Sequence, residues 1–398
     1  MKTKKKIFII VDSYFPKSKK IQAQMAEELA IGIKRRGHNV IIIAPDDSHD
    51  TSKDVHIINE VNVKFFKNPK IKDIGFIRRA VNEFLLPFNA FFRLRGFVKN
   101  NKPEFIIYFS PSIFFGLYVL YLKISFKVET YLVLRDMFPQ WVVDLGLIKK
   151  NRPPHIFFKI FERINYFAAS TIGLESPSGL AEFKLDFKKY NSELLLNWIE
   201  DKRIPIKKRS LRADYGLQNK IIFFYGGTIG VAQDISNIIN LAKSFKNEKK
   251  AHFVLIGDGN EFMTLKKESI KLGLQNLTIS QGVDPEVYID YLQEIDIGLI
   301  SLNKNNTGNN IPGKLLNYMK LKKPILGSVN SGNDIINIIN DSNAGLISSS
   351  NDSEAFLENA YTMLLESNRV FFAENSFKLM LEKFSIDSAL DNILKYKK

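Results

Sequence analysis

Three stretches in the second half of the 398-residue chain carry the residue types that anion chemistry needs. Gly226-Gly227-Thr228-Ile229-Gly230 follows the apolar run Ile221 to Tyr225 and precedes a helical pattern, with Gln233 just beyond. Backbone N–H groups at such a helix start can face a phosphate. The pattern is neither G-x-G-x-x-G nor a P-loop, and a tight strand-to-helix turn without a ligand uses the same residues. Gly257-Asp258-Gly259-Asn260 again puts glycines where backbone turns sharply or approaches something closely. In Ile311-Pro312-Gly313-Lys314-Leu315-Leu316-Asn317, Pro312 suits a first helical turn, Lys314 sits in that turn and Asn317 lies one turn further on the same face. A lysine there opposes the helix dipole, which marks it for an anion rather than for the helix.

Other chemistries are excluded by composition. Cysteine is absent, so a disulfide scaffold, a thiolate zinc site, an iron–sulfur cluster and a cysteine nucleophile fall together. The histidines His38, His49, His56, His155 and His252 lack ligand spacing, no Asp-x-Asp tripeptide is present, and Asp46, Asp47 and Asp50 read as a strand-end loop. No metal site and no cofactor are expected.

Positioning these residues requires alternating strands and helices. Apolar runs mark strands at Ile7 to Val11, Val40 to Ala44, Phe105 to Phe109, Thr130 to Leu134, Ile221 to Tyr225, Phe253 to Ile256, Leu277 to Ser280 and Ile297 to Ile300. Helical periods such as Ala23 to Arg36, ending at Gly37, and Ile235 to Phe245 lie between them. The predicted class is α/β, with two doubly wound parallel-sheet domains over 1–196 and 221–380 and a polar, basic connection at 197–220 containing Pro205. Ligands in such sheets bind beyond the carboxyl ends of the strands, so the cleft between domains is the expected site. Phe105 to Leu122 reads as strand, turn and helix rather than a membrane span, because Ser110, Pro111 and Ser112 interrupt it. The run Ile7 to Val11 is too short for a signal peptide, so a cytoplasmic protein is expected.

Charge is uneven. Residues 1–200 hold 32 Lys/Arg against 20 Asp/Glu, whereas the remainder hold 25 against 22. Residues 64–102 carry ten basic side chains, Arg78 and Arg79 among them, against only Asp73 and Glu83. Phe84, Leu85, Phe88, Phe91 and Phe92 share that segment and would bury little in a nucleic-acid groove, so an anionic membrane surface is the expected partner and no nucleic acid is. A domain helix with a solvated basic face and its phenylalanines in the core is the competing reading.

Together these motifs resemble the GT-B-fold retaining glycosyltransferases of family 4, in the branch acting in bacterial O-antigen and capsule synthesis. Asp12-Ser13-Tyr14-Phe15-Pro16 and Arg36-Gly37-His38-Asn39-Val40 are similar to the family's opening strand, loop and turn. Ser110-Pro111-Ser112, Leu134-Arg135-Asp136-Met137-Phe138-Pro139-Gln140 with Asp144-Leu145-Gly146, and Leu196-Asn197-Trp198-Ile199 continue it. The three stretches described first complete it in order. This chain departs from the family by reading Lys17-Ser18-Lys19-Lys20 in the opening loop, Thr228 and Gln233 where many relatives place Arg and Lys, and Asn309 and Asn317 at the family's E-x7-E places.

The resemblance implies two Rossmann-like domains, the C-terminal helix at about 381–398 packing back on the first. It implies sugar transfer from a UDP-sugar co-substrate to an undecaprenyl-diphosphate-linked saccharide at the inner face of the cell membrane, with N-acetyl-L-fucosamine transferases as the nearest branch. The donor would meet Gly226, Gly227, Thr228, Gly230, Gln233, Gly257, Asp258, Gly259, Asn309, Pro312, Leu315 and Asn317. Lys314 would stabilise the leaving diphosphate, with Arg135 and Asp136 at the acceptor. Tyr14, Lys19, Ser110, Arg78, Arg79, Phe84, Phe88, Phe91 and Phe92 would face acceptor or membrane. A UDP-N-acetylhexosamine epimerase and a catalytically silent interaction protein on the same fold are the alternatives.

Overall fold

A computed structural model describes residues 4–16, 18, 21–47, 55–71, 74–110, 112–144, 148–202, 204, 206–306 and 311–395. The chain divides into two compact units, one of Met1–Leu196 with Ala389–Lys398 and one of Asn197–Ser388. Residues 197–220 thus fall within the second unit.

Unit one is built on an eight-stranded sheet in the order β3-β4-β2-β1-β5-β6-β7-β8. Its strands are β1 (Lys6–Ile10), β2 (Asn39–Asp46), β3 (His56–Ile58), β4 (Val61–Lys67), β5 (Phe105–Phe109), β6 (Glu129–Leu134), β7 (Thr171–Leu174) and β8 (Ser192–Leu194). All pairs are parallel except β3 with β4. The central strands are continuous apolar runs because both faces are covered: every residue of β5 is buried. Covering them are α1 (Ile21–Arg35), α2 (Phe76–Asn100), α3 (Phe115–Phe126), α4 (Gln140–Asp144), α5 (Pro153–Ala168) and α6 (Pro177–Asp186). Inward residues of α2, including Leu86, Ala90, Leu94 and Phe97, join Phe8, Ile106 and Tyr108 in one core.

Unit two is a six-stranded, wholly parallel sheet in the order β11-β10-β9-β12-β13-β14. The strands are β9 (Ile221–Gly226), β10 (Ala251–Ile256), β11 (Leu277–Ser280), β12 (Ile297–Ser301), β13 (Ile325–Val329) and β14 (Gly345–Ser349). Before them runs α7 (Leu211–Tyr215), and between and after them α8 (Ile235–Ser244), α9 (Phe262–Lys271), α10 (Pro285–Glu294), α11 (Lys314–Lys320), α12 (Asp334–Asp341), α13 (Ser353–Thr362) and α14 (Glu366–Leu379). The amphipathic spacing of α8 sends Ile235, Ile238, Ile239 and Ala242 into the core beside Phe223 and Phe253. A last helix, α15 (Ile386–Ile393), leads the chain back to unit one, where Arg36 pairs with Asp391 at 2.7 Å and Lys395 with Glu193 at 2.6 Å.

Candidate functional site

In unit two, β9 pairs with β10 on one side and β12 on the other, so the strand order switches at its carboxyl end. Such switch points open a crevice for ligands. The loop leaving β9 is locked to the loop leaving β10: Gly227 N–H donates to Ile256 O at 2.9 Å, Ile229 N–H to Asp258 O at 2.9 Å, and Glu261 N–H to Ile229 O at 3.2 Å. A Cβ on Gly257 would sit 1.7 Å from Gly227 O, which is why no larger residue fits there. Gly227 itself has φ +136°, a conformation that glycine adopts without strain.

This interlocking corrects one expectation. The N–H groups of Gly227 and Ile229 are already bonded inside the protein, leaving those of Thr228 and Gly230 without a partner among the described residues. Nor does the loop run straight into a helix. A 3-10 turn over Val231–Gln233 intervenes, and α8 starts only at Ile235 behind Asp234 at φ +44°. Gly227 and Thr228 are exposed, Gly226, Gly230 and Gly257 buried, and Asp258 and Gly259 exposed. Gln233 folds back toward Gly230, and the Asp258 carboxylate stands over Gly282.

Lys314 completes the cluster from α11. That helix begins at Lys314 with Gly313 as its N-cap, so Pro312 lies just outside the first turn rather than in it. Tyr318, one turn on, lies flat over Gly298 of β12, where any Cβ would meet its ring at 2.4 Å, and donates its hydroxyl to Phe224 O at 3.2 Å. Leu315 is fully buried in the core, so it anchors the helix rather than contacting a ligand. Held this way, Lys314 directs Nζ over the ring of Tyr225, 3.5 Å from its centroid. Nζ also lies 3.3 Å from the point where a Cβ on Gly227 would be.

Lys314 makes no ion pair and no hydrogen bond among the described residues. Burial alone pulls its ammonium down to about 7. Tyr225 lies beneath it, with Tyr288 and Tyr318 near Tyr225, and burial pushes all three hydroxyls well above the usual tyrosine value, so they stay neutral. A half-buried cation over an aromatic ring, with no carboxylate partner among the described residues, is suited to a bound anion. Asn317 is half-buried on α11 and Asn309 lies outside the described residues. Sequence reasoning missed the tyrosines. Tyr225 was visible as the last large residue before the glycines, whereas Tyr288 on α10 carried no local signal.

In unit one the strand ends of β5, β6 and β7 bring Ser110, Arg135 and Glu175 together. Ser110 Oγ accepts the N–H of Arg135 at 2.9 Å and of Asp136 at 3.4 Å. It is almost fully buried, so it shapes the turn and does not face an acceptor. Arg135 Nε lies 3.5 Å from Glu175 Oε2, and its Nη1 donates to Met25 Sδ at 2.8 Å. Its ion-pair partner is Glu175, not the adjacent Asp136, whose side chain reaches solvent. The protein mass around the Asp136 carboxyl still pushes it above the usual value, against the pull of Arg135. Tyr14 is another correction: it is buried and donates its hydroxyl to Glu27 at 3.4 Å, out of reach of an acceptor. Lys19 lies outside the described residues.

The α2 segment divides. Arg78 is exposed, and Arg79 is exposed while pairing with Glu83 at 2.7 Å. Phe88 and Phe92 face outward. Phe84 and Phe91 do not, because they pack on Phe161 at 5.7 Å and Tyr121 at 4.7 Å between ring centroids. Among the described residues no helix is long and apolar enough to cross a membrane.

Residues 207–377 match the family described as glycosyl transferases group 1. A probable glycosyltransferase of Pseudomonas aeruginosa, WbjE, is 27% identical over 245 residues, 59% of this chain and 59% of that one. The match thus spans well under two thirds of that relative's length. Among solved structures, sucrose-phosphate synthase from Thermosynechococcus elongatus superposes with a TM-score of 0.69 at 12% identity, covering 98% of both chains. HepE from Anabaena, solved with UDP and glucose, gives 0.65 at 12% identity, again over 98% of both. The two parallel-sheet units therefore form a GT-B fold, and the second of them carries the segment that matches glycosyl transferases group 1.

Proposed function

We propose that this protein is a retaining glycosyltransferase that moves a sugar from a UDP-sugar to a lipid-diphosphate-linked saccharide. The observation that carries the reading is Lys314: a half-buried ammonium without an acidic partner among the described residues, at the switch point of the sheet whose segment matches glycosyl transferases group 1. UDP in the HepE structure and the name of the Pseudomonas relative support it by likeness.

In this reading the acceptor hydroxyl attacks the anomeric carbon from the face that the diphosphate leaves. The new C–O bond forms as the old one breaks, and the hydroxyl proton passes to the departing phosphate oxygen. The negative charge growing on the diphosphate is met by Lys314 and by the N–H groups of Thr228 and Gly230. Asn317 holds the nucleoside through neutral hydrogen bonding, in place of the family's carboxylate. Arg135, fixed by Glu175 and the Ser110 turn, meets an acceptor phosphate, and Asp136 orients the incoming sugar. The sugar is N-acetyl-L-fucosamine or a related N-acetylated deoxyhexosamine, the acceptor an undecaprenyl-diphosphate saccharide of capsule or O-antigen synthesis, and the place the inner face of the cell membrane. No metal or cofactor takes part.

A thermal-shift screen of UDP-sugars followed by transfer to a lipid-diphosphate acceptor tests this. Stabilisation by one UDP-sugar and transfer of its sugar are expected. Interconversion of UDP-sugars without acceptor would make the protein an epimerase, and neither binding nor turnover would make it a silent interaction protein.

A further inference from the structure

Helix α5 is apolar on both faces, its inward side burying Phe158, Tyr166 and Ala168 in the core. Its inward face buries Glu162 and Asn165, at 1% and 0% exposure, while Ile156, Phe157, Ile160 and Phe167 on its outer stripe are each at least 40% exposed. A surface helix in water normally turns a polar face outward. Helix α2 repeats the pattern: Ile77, Val81, Leu85, Phe88 and Phe92, spaced by three and four residues, form one outward apolar stripe, with Phe92 75% exposed.

The two stripes are linked through rings. Phe84 stands 5.4 Å from Phe88 on its own helix and 5.9 Å from Phe157 on α5, and Phe91 joins Phe92 to Tyr121 of α3. Ile124 of α3 adds a further exposed apolar group at 69%. Exposed apolar stripes of this extent mark an interaction site.

Its charge says with what. Helices α2, α3 and α5 together hold Arg78, Arg79, Arg93, Arg95, Lys99, Lys123, Lys159 and Arg163 against two acids. Both acids are already neutralised, Glu83 by Arg79 and Glu162 by Lys159. We propose that the outer faces of α2, α3 and α5 form a single membrane-docking surface that inserts its phenylalanine and isoleucine side chains among the acyl chains of an anionic bilayer and sets its arginines and lysines on the headgroup phosphates. The α5 half of this surface lies outside the basic segment that the sequence marked. The proposal deepens the reading of a lipid-linked acceptor by naming the surface that brings the protein to it.

The test is co-sedimentation of the full chain with vesicles of phosphatidylcholine alone or with added phosphatidylglycerol. Binding is expected to rise with phosphatidylglycerol and fall with salt. Ile160→Glu and Val81→Ser, both at exposed positions, should each lower partitioning about tenfold with an unchanged melting temperature, as should the pair Arg93→Ser and Arg95→Ser. Equal binding to both vesicle types, or full binding by the α5 variant, would overturn the proposal. So would a dimer in solution that the Ile160→Glu variant dissociates, since a second copy would then own this face. Transfer to a short, water-soluble acceptor analogue should be untouched in these variants; its absence in the wild type with vesicle binding intact would count against the transferase reading alone.

Discussion

Lys314 Nζ rests 3.5 Å from the centre of the Tyr225 ring, with no carboxylate beside it among the described residues. The ring attracts the cation without neutralising it, so the positive charge remains available to a ligand arriving over Gly227 and Thr228. This arrangement makes separate demands on Lys314 and on Asn317, one turn along the helix. In the proposed transfer, charge on the leaving diphosphate grows, so Lys314→Ala should cost about 3 to 4 kcal/mol of barrier, roughly 100- to 1000-fold in kcat. Contact with the nucleoside does not change during reaction, so Asn317→Ala should raise KM for the donor with little change in kcat. Steady-state kinetics on both variants separate the roles.

The ammonium of Lys314 is drawn down to about 7 by burial, which gives pH dependence two opposite signs. In the protein without ligand, Lys314 loses its proton as pH rises through 7, so in the proposed transfer kcat/KM for the donor should decline on the alkaline side. Stability moves the other way. The unfolded chain binds more protons than the folded one between about 7 and the ordinary lysine value of 10.5, so this group's contribution to stability increases as pH rises across that window. Lys314→Met should remove both dependences, read as a pH–rate profile and as the difference in melting temperature between variant and wild type from pH 7 to 10.

Gly257 is where the two strand-end loops meet, and a methyl group there would collide with Gly227 O at 1.7 Å. Gly257→Ala should destabilise unit two by about 3 kcal/mol or more, because backbone rather than a flexible side chain must yield. Denaturant unfolding checks the magnitude. Gly273, whose Cβ would meet nothing but whose φ is +61°, is the control: Gly273→Asn should be close to neutral, since asparagine tolerates that conformation.

Much of the fold was legible because buried parallel strands announce themselves as apolar runs. Phe105–Phe109 and Leu277–Ser280 were read with the bounds they have, and Ile221 to Tyr225 was short by one residue. Six of the described strands escaped. Val61–Lys67 and Ile325–Val329 did so despite their length and burial, the others because they are short or weakly apolar. Ser192–Leu194 has three residues, Thr171–Leu174 has four, and Gly345–Ser349 ends in serines, so tertiary pairing rather than local pattern makes them strands. At the site, the positions of Lys314 and the glycines were legible from turn chemistry. What was not legible is which backbone N–H groups the second loop would occupy, or that Ser110, Leu315 and Tyr14 would be buried. Those outcomes depend on contacts between segments distant in sequence. The same holds for α2, where helical spacing gave both faces an apolar stripe and only the packing of α5 decided that Phe84 turns inward.

Ser110→Ala should act both on folding and on acceptor binding. Ser110 Oγ receives two backbone N–H groups that set the direction of Arg135 and Asp136, and alanine leaves both unbonded. The expected outcome is a loss of about 1 to 3 kcal/mol in stability together with a raised KM for acceptor and an unchanged KM for donor. Ser110→Thr, which keeps the hydroxyl, should restore the acceptor KM if its methyl group is accommodated.

The central claim is sugar transfer driven by a protein cation at the diphosphate. It is tested most directly by incubating purified wild-type and Lys314→Ala protein with a UDP-sugar that shifts the melting temperature and an undecaprenyl-diphosphate saccharide, in EDTA, and following glycosidic product and its anomeric configuration by NMR. The account predicts a product with the donor's configuration retained, formed by the wild type in EDTA and 100- to 1000-fold more slowly by Lys314→Ala. Transfer that stops on chelation and returns with magnesium or manganese, or equal rates in the two proteins, would contradict it.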